Sequence, residues 1–411
     1  MTAVATLLVF TIVAVVFVCT LYLFVLACAA LSSPRMRPAS RAVHRFAVVI
    51  AARNEQGTIG PTVRRLHQQH YPPDLYSVVV IADNCTDRTA DEARAAGGVV
   101  LRRDDPVHLS KGYALAWALP GIVQPPVSQC PPDAVVIFDA DTSVDPDFLA
   151  LADAMLQAGC RVIQGKHVVA NPQDSWFAAM MFASFAIDNR LRNQGRSRLG
   201  WSCKLMGDAM CFHRRVLEQN PWDAISETED AEVWAKLILA GEQVVFVPQA
   251  LAFGGMVARL RDATEQRSRW MRGRAAVARR FVPALLLAAL RSRRWHYADA
   301  AIELTMPSHS TLLLLLALAT WGAPLLHVAV VPPFVWCLLW FALLVYPLLG
   351  LWLEGAPGHV YLALFRSPLF LLWRWFLAVR IRLRRGSHRW VRTPRSGNSE
   401  SPSVSRARNE D

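Results

Sequence analysis

Residues 3–31 contain no charged side chain and hardly a polar one. A stretch that long and apolar can cross a bilayer whose hydrocarbon core is about 30 Å thick. It is longer than a secretory signal core, and no basic residue precedes it, so residues 1–33 are expected to remain as a transmembrane anchor. Two further apolar stretches, about 311–331 and 334–353, flank Pro332-Pro333 and predict two transmembrane helices within 309–354. The stretch 360–383 is also apolar but carries Arg366, Arg374 and Arg380. Charges at a bilayer centre are expensive, so 355–385 is expected as an interfacial helix, with further interfacial helices over 276–308.

Positive residues set the orientation of such a chain. Arg35, Arg37, Arg41 and Arg45 follow the first span, eleven arginines lie from Arg259 to Arg294, and Arg380 to Arg395 is basic again. All three clusters share one side if Met1 is outside and three spans cross. The expectation is a multi-pass cell-membrane protein whose residues 46–308 and tail, 386–411, are cytoplasmic. The net charge of +12 then belongs to membrane flanks. The central region is mixed in charge, which argues against a nucleic-acid partner. The eight cysteines have no paired spacing, so no disulfides are expected in a reducing compartment. The polar, Ser-rich end from Ser396 is expected to be disordered.

From Phe46 the pattern becomes short apolar runs alternating with helical stretches. Phe46–Ala51, Ser77–Ala82 and Ala134–Phe138 read as buried parallel strands. Thr58–Gln69 and Thr86–Ala96 read as helices, the second capped by Thr86 or Asp87. This is an open α/β sheet. Each strand run leads to a carboxylate: Glu55 in Arg53-Asn54-Glu55, Asp83, and Asp139-Ala140-Asp141. Ligands of open α/β sheets bind beyond the carboxyl ends of the strands. Three acids converging there call for a cation. The turn after the first strand lacks the glycines of a dinucleotide site, and Ser110-Lys111-Gly112 lacks the spacing of a P-loop.

Asp139 and Asp141, two apart at a strand end, point to one side. Two carboxylates with phosphate oxygens suit Mg²⁺ or Mn²⁺; the plainer alternative is an acidic turn before the helix at Pro146. Thr228-Glu229-Asp230 opens a helical pattern. It reads either as a cap with first-turn acids or as a site for a general base. Gln266-Arg267-Ser268-Arg269-Trp270 is either an interfacial helix with an aromatic anchor or a phosphate and sugar contact.

Taken together, Ala52-Arg53-Asn54-Glu55, Asp83, Asp139-Ala140-Asp141, Thr228-Glu229-Asp230 and Gln266-x-x-Arg269-Trp270 resemble the family-2 inverting glycosyltransferases. The likeness is strongest to the membrane-integrated synthases of cellulose, chitin, hyaluronan and poly-N-acetylglucosamine. Asp83 to Asp87 and Lys111-Gly112 fall where that family keeps nucleotide-site residues, and Trp390 to Arg395 also looks familiar. The resemblance implies a GT-A nucleotide-sugar domain over 44–275 within an α/β chain bearing N- and C-terminal transmembrane helices. It implies that Glu55 and Asp83 hold the nucleoside, with Lys111 and Glu229 also at the substrate. Asp139 contacts the donor, Asp141 binds the Mg²⁺ or Mn²⁺, and Asp230 is the catalytic base. Gln266, Arg269 and Trp270 flank the diphosphate and the acceptor. Where cellulose synthases carry a Phe-Cys-Gly stretch, this chain has Leu205-Met206-Gly207-Asp208-Ala209-Met210, a departure that argues against glucose as donor and cellulose as product.

The expected activity is transfer of a hexose or N-acetylhexosamine from a nucleotide-diphosphate donor, UDP-type, to a growing polysaccharide. The alternative is a single transfer to a lipid or lipid-linked acceptor, which the thin membrane part favours. A polymer would need an export partner or a homo-oligomer, since three spans leave little interior to line a pore.

Overall fold

The computed structural model describes residues 2–32, 36–124, 130–256, 260–328 and 331–383. The Trp390–Arg395 motif and the tail 386–411 lie outside the described residues.

The chain begins with α1 (Thr2–Ala30). Four strands follow in a parallel layer: β1 (Phe46–Ala52), β2 (Tyr76–Asp83), β3 (Val99–Arg103) and β4 (Ala134–Phe138). Val49 pairs with Val79 of β2 on one side and Ile137 of β4 on the other. Their Val and Ile side chains are buried on both faces because helices cover both. Ala47 and Val49 pack against α4 (Lys111–Val123), whereas Val48 and Ile50 pack against α2 (Ile59–Leu66) and α3 (Thr89–Ala95).

Beyond β4 the sheet turns mixed. It continues through β5 (Ser143–Val144), α5 (Phe148–Gln157), β6 (Val162–Val169), α6 (Trp176–Ile187), a π-helical turn at Asp188–Asn193, α7 (Gln194–Arg198), β7 (Met210–His213), α8 (Arg214–Gln219), α9 (Glu229–Leu239) and β8 (Val244–Gly254). The eight strands run in the order β3-β2-β1-β4-β7-β6-β8-β5, with β7 antiparallel to both β4 and β6.

The two early helices are shorter than the periodicity predicts. α2 stops at Leu66, and Gln69 bonds instead to the Asp145 carbonyl (2.9 Å) and the Leu149 amide (3.1 Å). α3 begins at Thr89 with Arg88, not Thr86 or Asp87, at its cap position. The preceding turn is tied elsewhere: the Thr86 amide donates to Asn54 Oδ1 (2.8 Å) and the Arg88 amide to Gln56 Oε1 (3.2 Å). Local side-chain bonds of this kind compete with helix backbone.

The remaining chain is helical: α10 (Leu260–Ser292), α11 (Trp295–Thr305), α12 (His309–Leu325), α13 (Pro333–Glu354), α14 (Gly358–Ala363) and α15 (Ser367–Leu383). Val16 of α1, Leu312 of α12 and Leu343 of α13 share one apolar core. Among the described residues three helical stretches are long and apolar enough to cross a membrane: Ala3–Ala30, Pro333–Glu354 and Gly358–Ile381. A fourth arises if α11 and α12, bent by 71°, count as one broken span. Two of the arginines in 360–383 turn toward protein. Arg374 lines a cavity described below, and Arg380 pairs with Glu265 at 2.9 Å.

Candidate active site

The loops after β1 and β2 both turn on an asparagine in the left-handed region, Asn54 (φ 54°) and Asn84 (φ 50°). Asparagine tolerates that region better than most residues. The first turn places Glu55, and its amide donates to Thr89 Oγ1 (2.7 Å). The loop after β4 carries Asp139, and the loop leading into β7 carries Asp208, which meets the Asp139 amide.

These loops open onto one cavity of about 1060 Å³. Glu55, Lys111, Asp139, Glu229, Asp230, Gln266, Arg269 and Trp270, eight of the expected site residues, line it. Asp83 and Asp141 do not. Asp83 is buried beside the cavity and accepts from Arg103 at 2.6 Å and from Asn84 at 2.9 Å. Asp141 follows Asp139 by two residues, and the charge of each acts on His167.

Asp139 stands open to the cavity, with 45% of its side chain exposed. Lys111, at the first turn of α4, donates to it at 2.5 Å and to the Gly207 carbonyl at 2.5 Å. Burial opposes the Lys111 charge, but Asp139, Glu229 and Asp208 together push its pKa up. Gly207 (φ 80°) needs its left-handed backbone, and the space a Cβ there would take lies only 3.5 Å from Asp230 Oδ2.

Asp208, which nothing in the sequence singled out as functional, holds this loop in shape. Its Oδ1 accepts from the Asp139 amide (3.0 Å), and its Oδ2 accepts from Thr142 Oγ1 (2.8 Å) and meets His167 Nδ1 (2.8 Å). Burial would raise the Asp208 carboxyl, but His167 and Lys111 hold it below the usual carboxylate range. The same contact raises His167 against its own burial.

α9 presents Glu229 and Asp230. Thr228 stands at its cap position but makes no side-chain cap bond, and its Oγ1 is buried without a partner among the described residues. The threonine therefore does not account for the motif as a cap. Burial pushes Asp230 up, partly offset by the Ala231 amide, which donates to it at 2.8 Å. Burial and then the Asp230 charge push Glu229 up to about 7.

Asp139 and Asp141 would be the oxygen donors for a cation. Among the described residues no three His, Cys, Asp or Glu side chains gather as a metal cage. Mg²⁺ and Mn²⁺ sites commonly use one or two carboxylates and leave the other positions to waters and substrate phosphate. The donor set fits an ion shared with a diphosphate.

The far wall comes from the helical region, through Phe185 and Asp188 before and in the π-helical turn, Arg267 and Arg274 of α10, Glu303 of α11, and Trp373, Arg374 and Leu377 of α15. None of these was marked by a motif; Arg267, inside Gln266-x-x-Arg269-Trp270, came nearest.

The Glycosyl transferase family group 2 model matches residues 134–353, and the Glycosyl transferase family 2 model matches residues 47–219. A β-monoglucosyldiacylglycerol synthase of Nostoc sp. is 27% identical over 235 residues, covering 55% of this chain and 48% of that protein. The probable glycosyltransferase YdaM of Bacillus subtilis is 23% identical over 260 residues, covering 61% and 60%. The chain thus spans less than two thirds of these relatives. Among solved structures, the mannosyltransferase PcManGT from Pyrobaculum calidifontis, in complex with GDP-Man and Mn²⁺, superposes with a TM-score of 0.56 at 19% identity, covering 84% of this chain and 97% of that one. That likeness concerns the fold, which is the GT-A arrangement of a mixed α/β sheet, here with apolar helices at both ends. With the first family model covering more than half its length, the chain belongs to glycosyltransferase family 2.

Proposed function

We propose that the protein transfers a sugar from a nucleotide-diphosphate donor to a lipid or lipid-linked acceptor at the membrane, with inversion at the anomeric carbon. The observation that carries this reading is the continuity of one cavity. It runs from Glu55, Asp139 and Asp230 to Trp373 and Leu377 of the apolar helix α15. An acceptor on the membrane can reach the acids without leaving its lipid surroundings. The lipid-glycosylating name of the Nostoc relative agrees with this choice.

Each chain residue then has a task. Lys111 fixes the Asp139 carboxylate toward the donor. Mg²⁺ or Mn²⁺, when bound at Asp139 and Asp141, supplies charge neutralisation for the departing diphosphate. Arg269 offers fork-like donors to the same diphosphate. Asp230 takes the proton of the attacking acceptor hydroxyl, and its burial brings a carboxylate nearer the pH at which such a base works well. Gln266 and Trp270 border the acceptor. Extension of a polysaccharide is the second reading, favoured by the Trp270 indole in the cavity wall, a surface on which sugar rings stack.

The test is Asp230→Asn. Nucleotide affinity should stay within a few-fold while transfer falls by roughly 10²-fold or more. Collapse of affinity with high residual transfer would make Asp230 a structural acid and remove the proposed base.

A further inference from the structure

The cavity is polarised. Asp139 and Glu229 gather around Lys111, while the wall from α10 and α15 holds Arg267, Arg274 and Arg374. The carboxylates at that wall are already committed. Asp188 pairs with Arg192 (3.1 Å) and Lys204 (3.3 Å), and Glu303 with Arg196 (2.6 Å), Arg192 and Arg274 (3.7 Å). Arg267 and Arg374 are left over, with no carboxylate within ion-pair distance among the described residues. Arg267 donates to the weak acceptor Met181 Sδ (2.6 Å) and lies over the Trp270 ring at 4.9 Å. Arg374 lies 6.0 Å from the Phe370 ring centre. Burial and the Arg374 charge hold Arg267 well below its usual range, at about 9. Two half-buried guanidiniums in one cavity repel each other unless an anion joins them, and their planar forks match phosphate oxygens.

We propose that Arg267 and Arg374 bind a phosphate group carried by the acceptor lipid. The inference rests on the membrane-acceptor reading above and names the headgroup chemistry. The donor's diphosphate is the other phosphate in reach, but Lys111 of α4 holds Asp139 at the sheet end (2.5 Å), whereas Arg267 is bound to Met181 of α6 and Arg374 belongs to α15. The pair therefore stands apart from the donor acids. A lipid source follows from the surroundings. Trp373 and Leu377 flank Arg374 in the wall, and Leu369, Leu372 and Phe376 expose apolar surface on the same helix.

Calorimetric titration of the full chain in detergent tests this, with citronellyl phosphate, citronellol, inorganic phosphate, UDP and GDP as probes. Citronellyl phosphate should bind at least about tenfold more tightly than citronellol or inorganic phosphate, a difference of roughly 1.4 kcal/mol. Arg374→Gln and Arg267→Gln should each weaken it by about tenfold or more while nucleotide affinity stays within about twofold, which also shows that the variants are folded. Arg374→Lys, keeping charge without the fork, should fall between and serves if a glutamine variant does not fold. Equal binding of citronellol, or equal binding of inorganic phosphate, would overturn the lipid-phosphate assignment. Equal weakening of nucleotide would give the pair to the donor and overturn it too. Absence of nucleotide binding by the wild type, with citronellyl phosphate binding intact, would instead strike the transferase reading and leave the phosphate site standing.

Discussion

Glu229 and Asp230 are adjacent acids that share a buried cavity wall, and their charges are felt in pH dependence. Glu229, raised to about 7, binds a proton in the folded chain that the unfolded chain has already released. The stability this contributes is present below the ordinary carboxylate pKa and is lost as pH rises through about 7. The ligand-free melting temperature should therefore fall from pH 5 to pH 8, and Glu229→Gln should flatten that slope; an unchanged slope would contradict the assignment. Transfer needs Asp230 ionised, so its acid limb should lie above the ordinary carboxylate range, and because Glu229 is neutral below about 7 that limb should stay nearly in place in Glu229→Gln. Asp208 is a positioning residue, acting through the Asp139 amide and Thr142. Asp208→Asn should raise the Mg²⁺ or Mn²⁺ concentration for half-maximal transfer by about tenfold, the scale of altered second-sphere partners, with nucleotide affinity at saturating metal nearly kept. A fall in maximal rate at unchanged metal requirement would refute that role. Asp139, Glu229 and Asp230 were legible because each sits in a short ordered motif. Asp208 and His167 were not, because their contact arises from the pairing of β6 with β7, and a lone Asp or a strand His has no local signature.

At the scale of elements, the Val and Ile runs announced β1, β2 and β4, since strands buried on both faces need them. Helix starts were read too early where Thr86 and Arg88 bond across to the β1 loop. α10 is the element that joins catalysis to the membrane region. It is one continuous helix from Leu260 to Ser292, so the expected domain edge at 275 falls in its interior. Gly273 lets it approach α9's start: a Cβ there would lie 2.7 Å from Thr228 side-chain atoms. Gly273→Ala should push α10 away and carry Gln266, Arg269 and Trp270 with it, lowering transfer by about tenfold or more, since a displacement near 1 Å has cost on that order or beyond in other enzymes. Retained transfer would show that α10 yields without consequence. Trp270→Ala should raise the ratio of donor hydrolysis to transfer, measured from released nucleotide against glycosylated product, because the lost indole face serves the acceptor. Equal loss of both reactions would place Trp270 at the donor.

For the whole molecule, length and composition leave α15 free to cross a membrane, but its contacts argue for a surface position. Trp373 Nε1 donates to Thr264 (3.3 Å) and Arg380 pairs with Glu265 (2.9 Å), so α15 is tied at two points to the start of α10. We therefore expect the catalytic domain and the chain end to share the cytoplasmic side. An engineered cysteine after residue 383 should resist membrane-impermeant labelling in intact cells, and ready labelling from outside would overturn that topology. The long apolar helices α1 and α13 were legible from hydropathy, whereas the stretch expected at 311–331 ends at Leu325 in α12 and is long enough only with α11 as a bent pair, and 358–381, read as interfacial, is long and apolar enough to cross; the cavity was not legible, because it forms only when α6, α10 and α15 meet the sheet domain. The central claim is sugar transfer by the acids of that cavity. Its most direct test is to incubate the purified full chain with a panel of sugar nucleotides, a bacterial lipid extract and Mg²⁺ or Mn²⁺, then identify products by mass spectrometry. The account predicts a lipid enlarged by one sugar and an equal yield of nucleoside diphosphate, both lost with EDTA and in Asp230→Asn. Undiminished product in EDTA, or in Asp230→Asn, would contradict it.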